Sequence, residues 1–362
     1  MSKFWPQKAL QTDRRGKNTP SKTFFGHAWD FFPKNALSLR PETRHTDQTS
    51  VNWLLALSRM LRLPNLVIVF LTQAIPYWLV LRPALLKAGA IPALDERRFA
   101  IITLATVLTT FAGYVLNDYF DRDIDAINKP HRVIYGRWLP SVAALILYTI
   151  LVVGVHLMAF WIDKEVPTIN RWPLWVFPGV SFLLFLYAWQ LKCTAILGNL
   201  LVSILCAAVP VIMVFAEERP IWLASFREPQ LVQQAVGLVW LYALFAFITN
   251  LLREQVKDLE DFQGDSACGC ATLAVSKGPR FAKKPAGFTA LTVCALVGIL
   301  LFFWSQTGAP VWQIAAGVGC LLVPALLTAY LIAKAESRPH YARASALIKF
   351  IMVVGLLLLL RW

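Results

Sequence analysis

The chain alternates long apolar stretches with short polar segments. Nine stretches are long enough, or nearly long enough, to cross a bilayer: residues 66–86, 98–117, 138–161, 173–190, 194–216, 234–252, 287–304, 310–333 and 345–361. Apolar residues run continuously within each stretch instead of alternating, which favours membrane helices over the strands of a barrel. The pattern predicts an all-α, polytopic membrane protein with about nine transmembrane helices.

Composition supports this prediction. Of the 362 residues, 57% are hydrophobic and 15% are charged, whereas roughly a quarter of the residues of a soluble domain are charged. The net charge of +14 comes largely from Lys and Arg in alternate connecting segments, as the positive-inside rule describes, and does not indicate nucleic-acid binding. Residues 1–62 hold 11 of these cations, so we expect the N-terminus in the cytoplasm.

The chain divides into two parts by polarity. Residues 1–50 are polar and basic without a spanning run, which predicts a disordered N-terminal extension, and residues 51–362 form the predicted transmembrane domain. Most of the six cysteines lie in or next to apolar stretches, which indicates reduced thiols and no disulfide framework.

The same acidic pattern, D-x-x-D-x-x-x-D, occurs twice, about 140 residues apart, and each copy follows an apolar stretch. The aspartates are Asp118, Asp121 and Asp125 in the first copy and Asp258, Asp261 and Asp265 in the second. On a continuous helix these spacings place all three side chains on one face within about 60°. Like charges so placed repel unless a cation lies between them, so the two copies together predict an oxygen-only site for Mg²⁺ and a phosphate.

Neighbouring residues extend this predicted site. Asn117 adds a neutral oxygen beside Asp121, which makes seven predicted metal ligands with the six aspartates. Four basic residues of the two segments are suited to bind diphosphate oxygens: Arg122, Arg132, Arg253 and Lys257. One such motif alone would also fit a solvated helix end, but two copies predicted on the same side of a membrane favour a metal–diphosphate site.

These segments resemble the UbiA superfamily of intramembrane prenyltransferases. The first motif with Asn117 is similar to the family's first aspartate-rich motif, and Lys257-Asp258…Asp261-x-x-x-Asp265 is similar to its second. Further similarities are Arg62-Leu-Pro-Asn65, Asn128-Lys-Pro-x-Arg132, Tyr187…Lys192…Gly198-Asn199 and Gly264-Asp265…Gly269-Cys270-x-Thr272-Leu273. The resemblance covers roughly residues 55–361 and implies a UbiA-like bundle of nine helices.

The resemblance also implies a reaction. The expected enzyme transfers a prenyl group from an isoprenoid diphosphate to a lipophilic acceptor within the membrane lipid, with Mg²⁺ as cofactor and without a nucleic-acid partner. Asp121, Asp261 and Lys192 are the implied catalytic residues, and Lys192 is also expected to bind the diphosphate. The residues expected to line the substrate pocket are Asn65, Tyr114, Tyr187 and Asn199.

The second motif indicates a branch of the family. It resembles the motif of digeranylgeranylglyceryl phosphate synthases, chlorophyll synthases and homogentisate prenyltransferases. This resemblance favours a farnesyl to geranylgeranyl donor and a glycerol-phosphate lipid acceptor, with an aromatic precursor of a quinone or tocopherol as the alternative acceptor. We expect a multi-pass protein of a bacterial inner membrane with its active site facing the cytoplasm.

A divalent-cation transporter is the alternative from another class of protein. A transporter would place its acidic residues near the middle of the membrane, inside broken helices. Both motifs instead follow the ends of apolar stretches, which favours the enzyme.

Overall fold

The computed structural model describes residues 62–129, 140–166, 170–306 and 308–361. Most of these residues lie in helices, and no strand occurs among them. The predicted N-terminal extension and Arg132 lie outside the described residues.

We number the helices of the described residues in chain order. They are α1 (Leu63–Lys87), α2 (Glu96–Phe120), α3 (Arg122–Asn128), α4 (Ser141–Glu165), α5 (Pro173–Trp189), α6 (Leu197–Ala216), α7 (Glu218–Ser225), α8 (Pro229–Glu260), α9 (Phe262–Ala267), α10 (Leu273–Lys277), α11 (Pro279–Gln306), α12 (Val311–Lys334) and α13 (Arg338–Leu357). Helices α1 and α12 each contain a π-helical turn, at Pro76–Leu81 and Val318–Leu322.

The long helices agree with the predicted membrane spans. Within the described ranges, eight helices are long and apolar enough to cross a membrane: α1, α2, α4, α6, α8, α11, α12 and α13. The ninth predicted stretch corresponds to α5, an apolar helix of 17 residues that falls at the short limit for spanning. The protein is therefore an all-α, multi-pass membrane protein, as the sequence predicts.

Local sequence signals set where several helices begin. Proline stands at the first turn of α1, α5, α8 and α13, where its missing N–H would have no helical partner in any case. Helix α2 instead begins with a side-chain cap, because the Asp95 carboxylate accepts a hydrogen bond from the Arg98 N–H at 2.7 Å. These signals place the start of α2 before the apolar stretch that predicts it.

Two clusters of buried side chains divide the bundle. One joins α1, α2, α4 and α6 around Tyr77 and Ile102, and the other joins α8, α11, α12 and α13 around Val256 and Ile348. Helix α8 contributes to both clusters, through Val232 in the first and its later residues in the second. Each acidic motif lies at the end of a helix from one of these clusters. The first motif is at the end of α2 and the second is at the end of α8.

A buried carboxylate connects the first cluster to the loop before α2. Glu217, between α6 and α7, is 0% exposed. Its carboxylate accepts hydrogen bonds from the Tyr77 hydroxyl at 3.0 Å and from the backbone N–H groups of Ala93 at 2.7 Å and Leu94 at 3.0 Å. Burial raises the pKa of Glu217, and these three hydrogen bonds oppose that rise.

We predict that Glu217→Ala lowers the melting temperature of the protein. The substitution leaves two buried N–H groups without an acceptor, at a cost of about 1–3 kcal/mol each. Tryptophan fluorescence during heating of detergent-purified protein measures the change. Glu336→Ala, at an exposed position, is the control and should melt like the unmodified protein. Equal melting of both variants would show that the Glu217 contacts do not stabilise the fold.

Candidate active site

The two acidic motifs have the same backbone layout. Helices α2 and α8 each end one residue before the middle aspartate of the motif, and a short helix, α3 or α9, follows that aspartate. The backbone N–H of Asp121 donates to the carbonyl of Asn117, and that of Asp261 donates to the carbonyl of Lys257, both at 2.8 Å. The local structure of the two motifs is therefore repeated as well as their sequence pattern.

The prediction that each motif forms one continuous helical face was wrong. Because the helix breaks at the middle aspartate, the first aspartate belongs to a long helix and the last belongs to a short one. Asp118 pairs with Arg62, which lies 56 residues earlier in the chain. Asp118 does not line the cavity that the other five motif aspartates share, although its partner Arg62 does.

Both motifs open onto one cavity of about 90 Å³. The carboxylates that line it are Asp121, Asp125, Glu254, Asp258, Asp261 and Asp265, and the cations are Arg62, Lys129, Lys192 and Lys257. Asn117, Tyr187 and Asn199 complete its polar lining. With every group ionised, six carboxylates against four cations give this lining a charge of −2. We call this space the carboxylate cavity.

Lysines from other segments neutralise the middle aspartates. The Lys129 ammonium, which follows α3 of the first motif, lies 2.7 and 2.8 Å from the carboxylate oxygens of Asp261 in the second motif. Lys192, in the turn between α5 and α6, pairs with Asp121. These pairs hold the two motifs and the turn around one cavity.

Asn128 connects the two motifs through the backbone. Its amide Nδ2 donates to the carbonyl of Asp261 at 3.1 Å, and its Oδ1 accepts from the N–H of Gly264 at 3.0 Å. A Cβ atom on Gly264 would lie 2.3 Å from Nδ2 of Asn128, so only glycine allows this approach. The contact fixes α3 against α9 and thereby sets the distance between the two sets of carboxylates.

The ligand chemistry of the cavity fits Mg²⁺. Carboxylate and amide oxygens are the donors that Mg²⁺ prefers, and the excess negative charge favours a divalent cation over a bare phosphate. No three acidic, His or Cys side chains of the described residues are already gathered as a metal cluster, and Asp121 and Asp261 are engaged by lysines. The predicted ligands that face this space are Asn117, Asp121, Asp125, Asp258, Asp261 and Asp265.

The predicted basic residues separate into different groups. Lys192 and Lys257 line the carboxylate cavity. Arg122 contacts Asp123 at 3.1 Å and the Ser141 hydroxyl at 3.3 Å and does not line it, so we leave Arg122 out of the proposed site. Arg253 lines two neighbouring cavities instead.

Sequence reasoning missed three residues of the site. Glu254 is buried in the cavity wall between Arg253 at 3.1 Å and Lys257 at 3.8 Å, and its spacing of three residues from Lys257 is a signal that could have revealed it. Asn128 and Lys129 act across the two motifs, so only the folded structure shows their partners.

The oxidation state of two cysteines differs from the prediction. Cys193 and Cys270, both in the wall of the carboxylate cavity, form a disulfide, so the prediction of reduced thiols was wrong for this pair. The backbone N–H of Ala271 also donates to the carbonyl of Cys193 at 2.9 Å. The segment after the second motif therefore lies against the turn that carries Lys192.

A second cavity, of about 190 Å³, adjoins the first. The two share Arg62, Asn117, Tyr187, Glu254 and Lys257, and Tyr114 and Arg253 also line the second. The rest of its wall is largely apolar and reaches Thr106, Phe177 and Ile212. From Asn117 to Thr106 along α2 is about 16 Å at the rise of an α-helix. We call this space the chain cavity.

The geometry therefore joins an acidic, oxygen-lined space to a long apolar one inside a membrane bundle. Comparison with protein families identifies the class. The model of the UbiA prenyltransferase family matches residues 74–353. The chain belongs to this family, so the predicted family and the predicted class of enzyme, a prenyltransferase, are confirmed.

Two similar curated proteins are each named digeranylgeranylglyceryl phosphate synthase. That of Methanopyrus kandleri is 35% identical over 185 residues, which cover 51% of this chain and 59% of that protein, less than two thirds of its length. That of Thermococcus kodakarensis is 29% identical over 283 residues, covering 76% of this chain and 89% of that protein. These organisms are archaea, and the bacterial membrane stays a prediction.

Solved structures show the same fold. A structure from a study of digeranylgeranylglyceryl phosphate synthase in membranes has a TM-score of 0.56 at 19% identity and covers 85% of this chain and 99% of that one. The apo structure of a UbiA homolog from Aeropyrum pernix K1 has a TM-score of 0.53 at 16% identity, with 80% and 97% covered. The predicted UbiA-like helical bundle is therefore confirmed.

We predict that Gly264→Ala destabilises the protein and weakens divalent-cation binding. The new methyl group would overlap the buried Asn128 amide and push α3 from α9, at a cost of about 1–3 kcal/mol. Melting temperature and Mn²⁺ binding, measured by electron paramagnetic resonance, report the two effects. Gly287→Ala, with no atom within 4 Å of its Cβ, is the matched control. Unchanged Mn²⁺ binding in Gly264→Ala would contradict the role given to this contact.

Burial and crowding of the carboxylates raise the pKa values of two aspartates in the site. Burial, followed by the charge of Asp261, raises the pKa of Asp265 to about 6. Burial and the charge of Asp121 also raise the pKa of Asp125. In the metal-free protein, protonation of Asp125 and Asp265 therefore stabilises the folded state. This stabilisation is lost as the pH rises through the raised pKa values of the two groups.

We predict that divalent-cation binding weakens as the pH falls through 6. A carboxyl with a pKa of about 6 is nearly all ionised at pH 7.5 and about one quarter ionised at pH 5.5, so the loss of affinity from Asp265 is about fourfold. Mn²⁺ titrations at the two pH values measure it. Asp265→Asn removes this titrating group and should show a smaller ratio. Equal affinities at both pH values would contradict the prediction.

Proposed function

We propose that this protein transfers a prenyl group from an isoprenoid diphosphate to the hydroxyl of a glycerol-phosphate lipid, with Mg²⁺ as cofactor. The observation that carries the proposal is the direct junction between the carboxylate cavity and the chain cavity. A prenyl diphosphate combines a polyanionic head with a long apolar chain, and these adjoining spaces match its two parts. The names of the curated relatives support the choice of acceptor.

In this proposal the diphosphate binds in the carboxylate cavity and the prenyl chain lies in the chain cavity. Mg²⁺ held by the aspartates would neutralise charge that develops on the departing diphosphate. Lys129, Lys192 and Lys257 line the same space and would donate hydrogen bonds to phosphate oxygens in exchange for their present carboxylate partners. Asn199 holds Asp258 by a hydrogen bond of 2.8 Å and so orients that carboxylate.

The bond that breaks joins the first prenyl carbon to the diphosphate oxygen. That carbon would lie where the two cavities meet, among residues that include Tyr187 and Asn117. The allylic cation formed there is stabilised by aromatic faces such as those of Tyr187 and Tyr114, and the apolar wall keeps water away from it. The acceptor hydroxyl then attacks the cation, and diphosphate and a proton leave.

The reaction can be tested with the purified protein in nanodiscs containing Mg²⁺. Labelled geranylgeranyl diphosphate is supplied with geranylgeranylglyceryl phosphate, 4-hydroxybenzoate, homogentisate or a naphthoate, and EDTA is added to matched samples. We expect EDTA-sensitive label in the glyceryl lipid. Label in an aromatic acceptor instead would retain prenyl transfer and replace the proposed acceptor.

We predict that Asp121→Ala and Asp261→Ala each lower turnover by at least about a thousandfold, because each removes a carboxylate at the centre of the site. Asp123→Ala is the matched control, since Asp123 belongs to the same segment but contacts Arg122 outside the cavity. It should retain near-normal activity. Full activity in either of the first two variants would remove the site assignment.

A further inference from the structure

A third cavity lies beside the chain cavity, between α1, α8 and α13. It has a volume of about 130 Å³ and a polar lining that the donor site does not explain. The polar residues that line it include Asn65, Thr72, Tyr242, Asn250, Arg253 and Lys349. Met352 and Phe245 provide apolar surface beside them. We call this space the side cavity.

Lys349 is an unusual residue for its position. It lies in α13, a membrane span, eleven residues after Arg338 and therefore about 16 Å along the helix. Its neighbours Ile348, Phe350 and Ile351 are apolar. The Lys349 side chain is exposed and also lines the side cavity. A cation within a membrane span marks a polar pathway or a site for an anion.

Arg253 connects the side cavity to the donor site. It lines both the chain cavity and the side cavity but not the carboxylate cavity. Tyr114 and Cys206 are shared by the same two spaces. Glu254, which contacts Arg253, faces the junction where the reacting carbon of the donor would lie. A ligand with its anion at Arg253 would thus have the next few atoms close to that carbon.

We propose that the side cavity binds the phosphate of the acceptor lipid, with Arg253 and Lys349 as the residues that recognise it. This inference rests on the proposed function and assigns the acceptor a site separate from the diphosphate. Two cations match a phosphate monoester, and the amides of Asn65 and Asn250 are suited to bind its remaining oxygens or the glycerol. A glycerol hydroxyl lies only a few bonds from its phosphate, so it would extend from the side cavity into the chain cavity, toward the reacting carbon of the donor.

The two cations of the side cavity also distinguish an acceptor with a phosphate from an acceptor without one. The lysines of the carboxylate cavity share it with five motif aspartates and would serve the diphosphate. Arg253 and Lys349 instead line a cavity without motif aspartates, and Arg253 also contacts Glu254 at 3.1 Å. A phosphorylated acceptor uses these cations, and an acceptor without a phosphate gains nothing from them. Arg253, predicted from its sequence position to bind the diphosphate, is thereby assigned to the acceptor.

Steady-state kinetics of Lys349→Met in nanodiscs test the proposal, with geranylgeranyl diphosphate as donor and geranylgeranylglyceryl phosphate as acceptor. We expect the KM for the acceptor to rise about tenfold or more, because a charge-assisted contact is lost. The KM for the donor should stay unchanged. Lys349→Arg should restore most of the affinity. Lys284→Met, on the exposed start of α11, is the matched control for loss of one lysine.

The dephosphorylated acceptor, geranylgeranylglycerol, provides the second readout. Unmodified protein should prefer the phosphorylated acceptor, and Lys349→Met should lose most of that preference. An unchanged preference, or an equal rise in the KM of donor and acceptor, would overturn the assignment. If Lys349→Met does not fold, Lys349→Gln provides the same comparison with a polar side chain. Absence of transfer to any glyceryl lipid by the unmodified protein would instead reject the proposed function itself.

Discussion

The repulsion among six carboxylates around one small cavity is the constraint on which the site depends. Such a cluster at the end of a membrane bundle is unstable unless cations are brought to it. Lys129 and Lys192 come from outside the motifs' own helices to pair with the middle aspartates. A diphosphate that entered alone would add further negative charge to a lining that is already negative. In the proposed reaction divalent cations would therefore accompany the substrate, and the lysines would then transfer their hydrogen bonds to phosphate.

Features that depend on local sequence were predictable, and features that depend on distant partners were not. Continuous apolar stretches of sufficient length predict spanning helices from local composition alone, and all nine predicted stretches correspond to helices. The repeated aspartates predicted a site because carboxylate spacing is a local property. The helix break at Asp121 and the turn of Asp118 toward Arg62 were not predictable, since both depend on partners distant in the sequence. Asn128 illustrates this limit, because its partners Asp261 and Gly264 lie more than 130 residues later.

The proposed prenyl transfer would occur at a boundary between polar and apolar surroundings. Loss of the diphosphate requires strong solvation of the leaving group, and survival of the cation requires that water be excluded. The carboxylate cavity meets the first requirement and the chain cavity meets the second. Tyr187 and Asn117 belong to both walls, so in the proposed reaction the reacting carbon would pass between the two surroundings without moving far.

The repeated motifs also show how a near-symmetric frame produces an asymmetric site. Aligning Asp121 with Asp261 places Gly113, Tyr114 and Asn117 opposite Arg253, Glu254 and Lys257 in register, and all six line the chain cavity. The first half thus provides uncharged residues at the positions where the second half provides charged ones. The prenyl chain needs small or apolar surface, and Gly113 allows the close approach of Leu184, whose nearest atom would lie 3.2 Å from an added Cβ. In the proposed reaction the phosphates of donor and acceptor would bind to these charges, so the two halves would hold different parts of the same reaction.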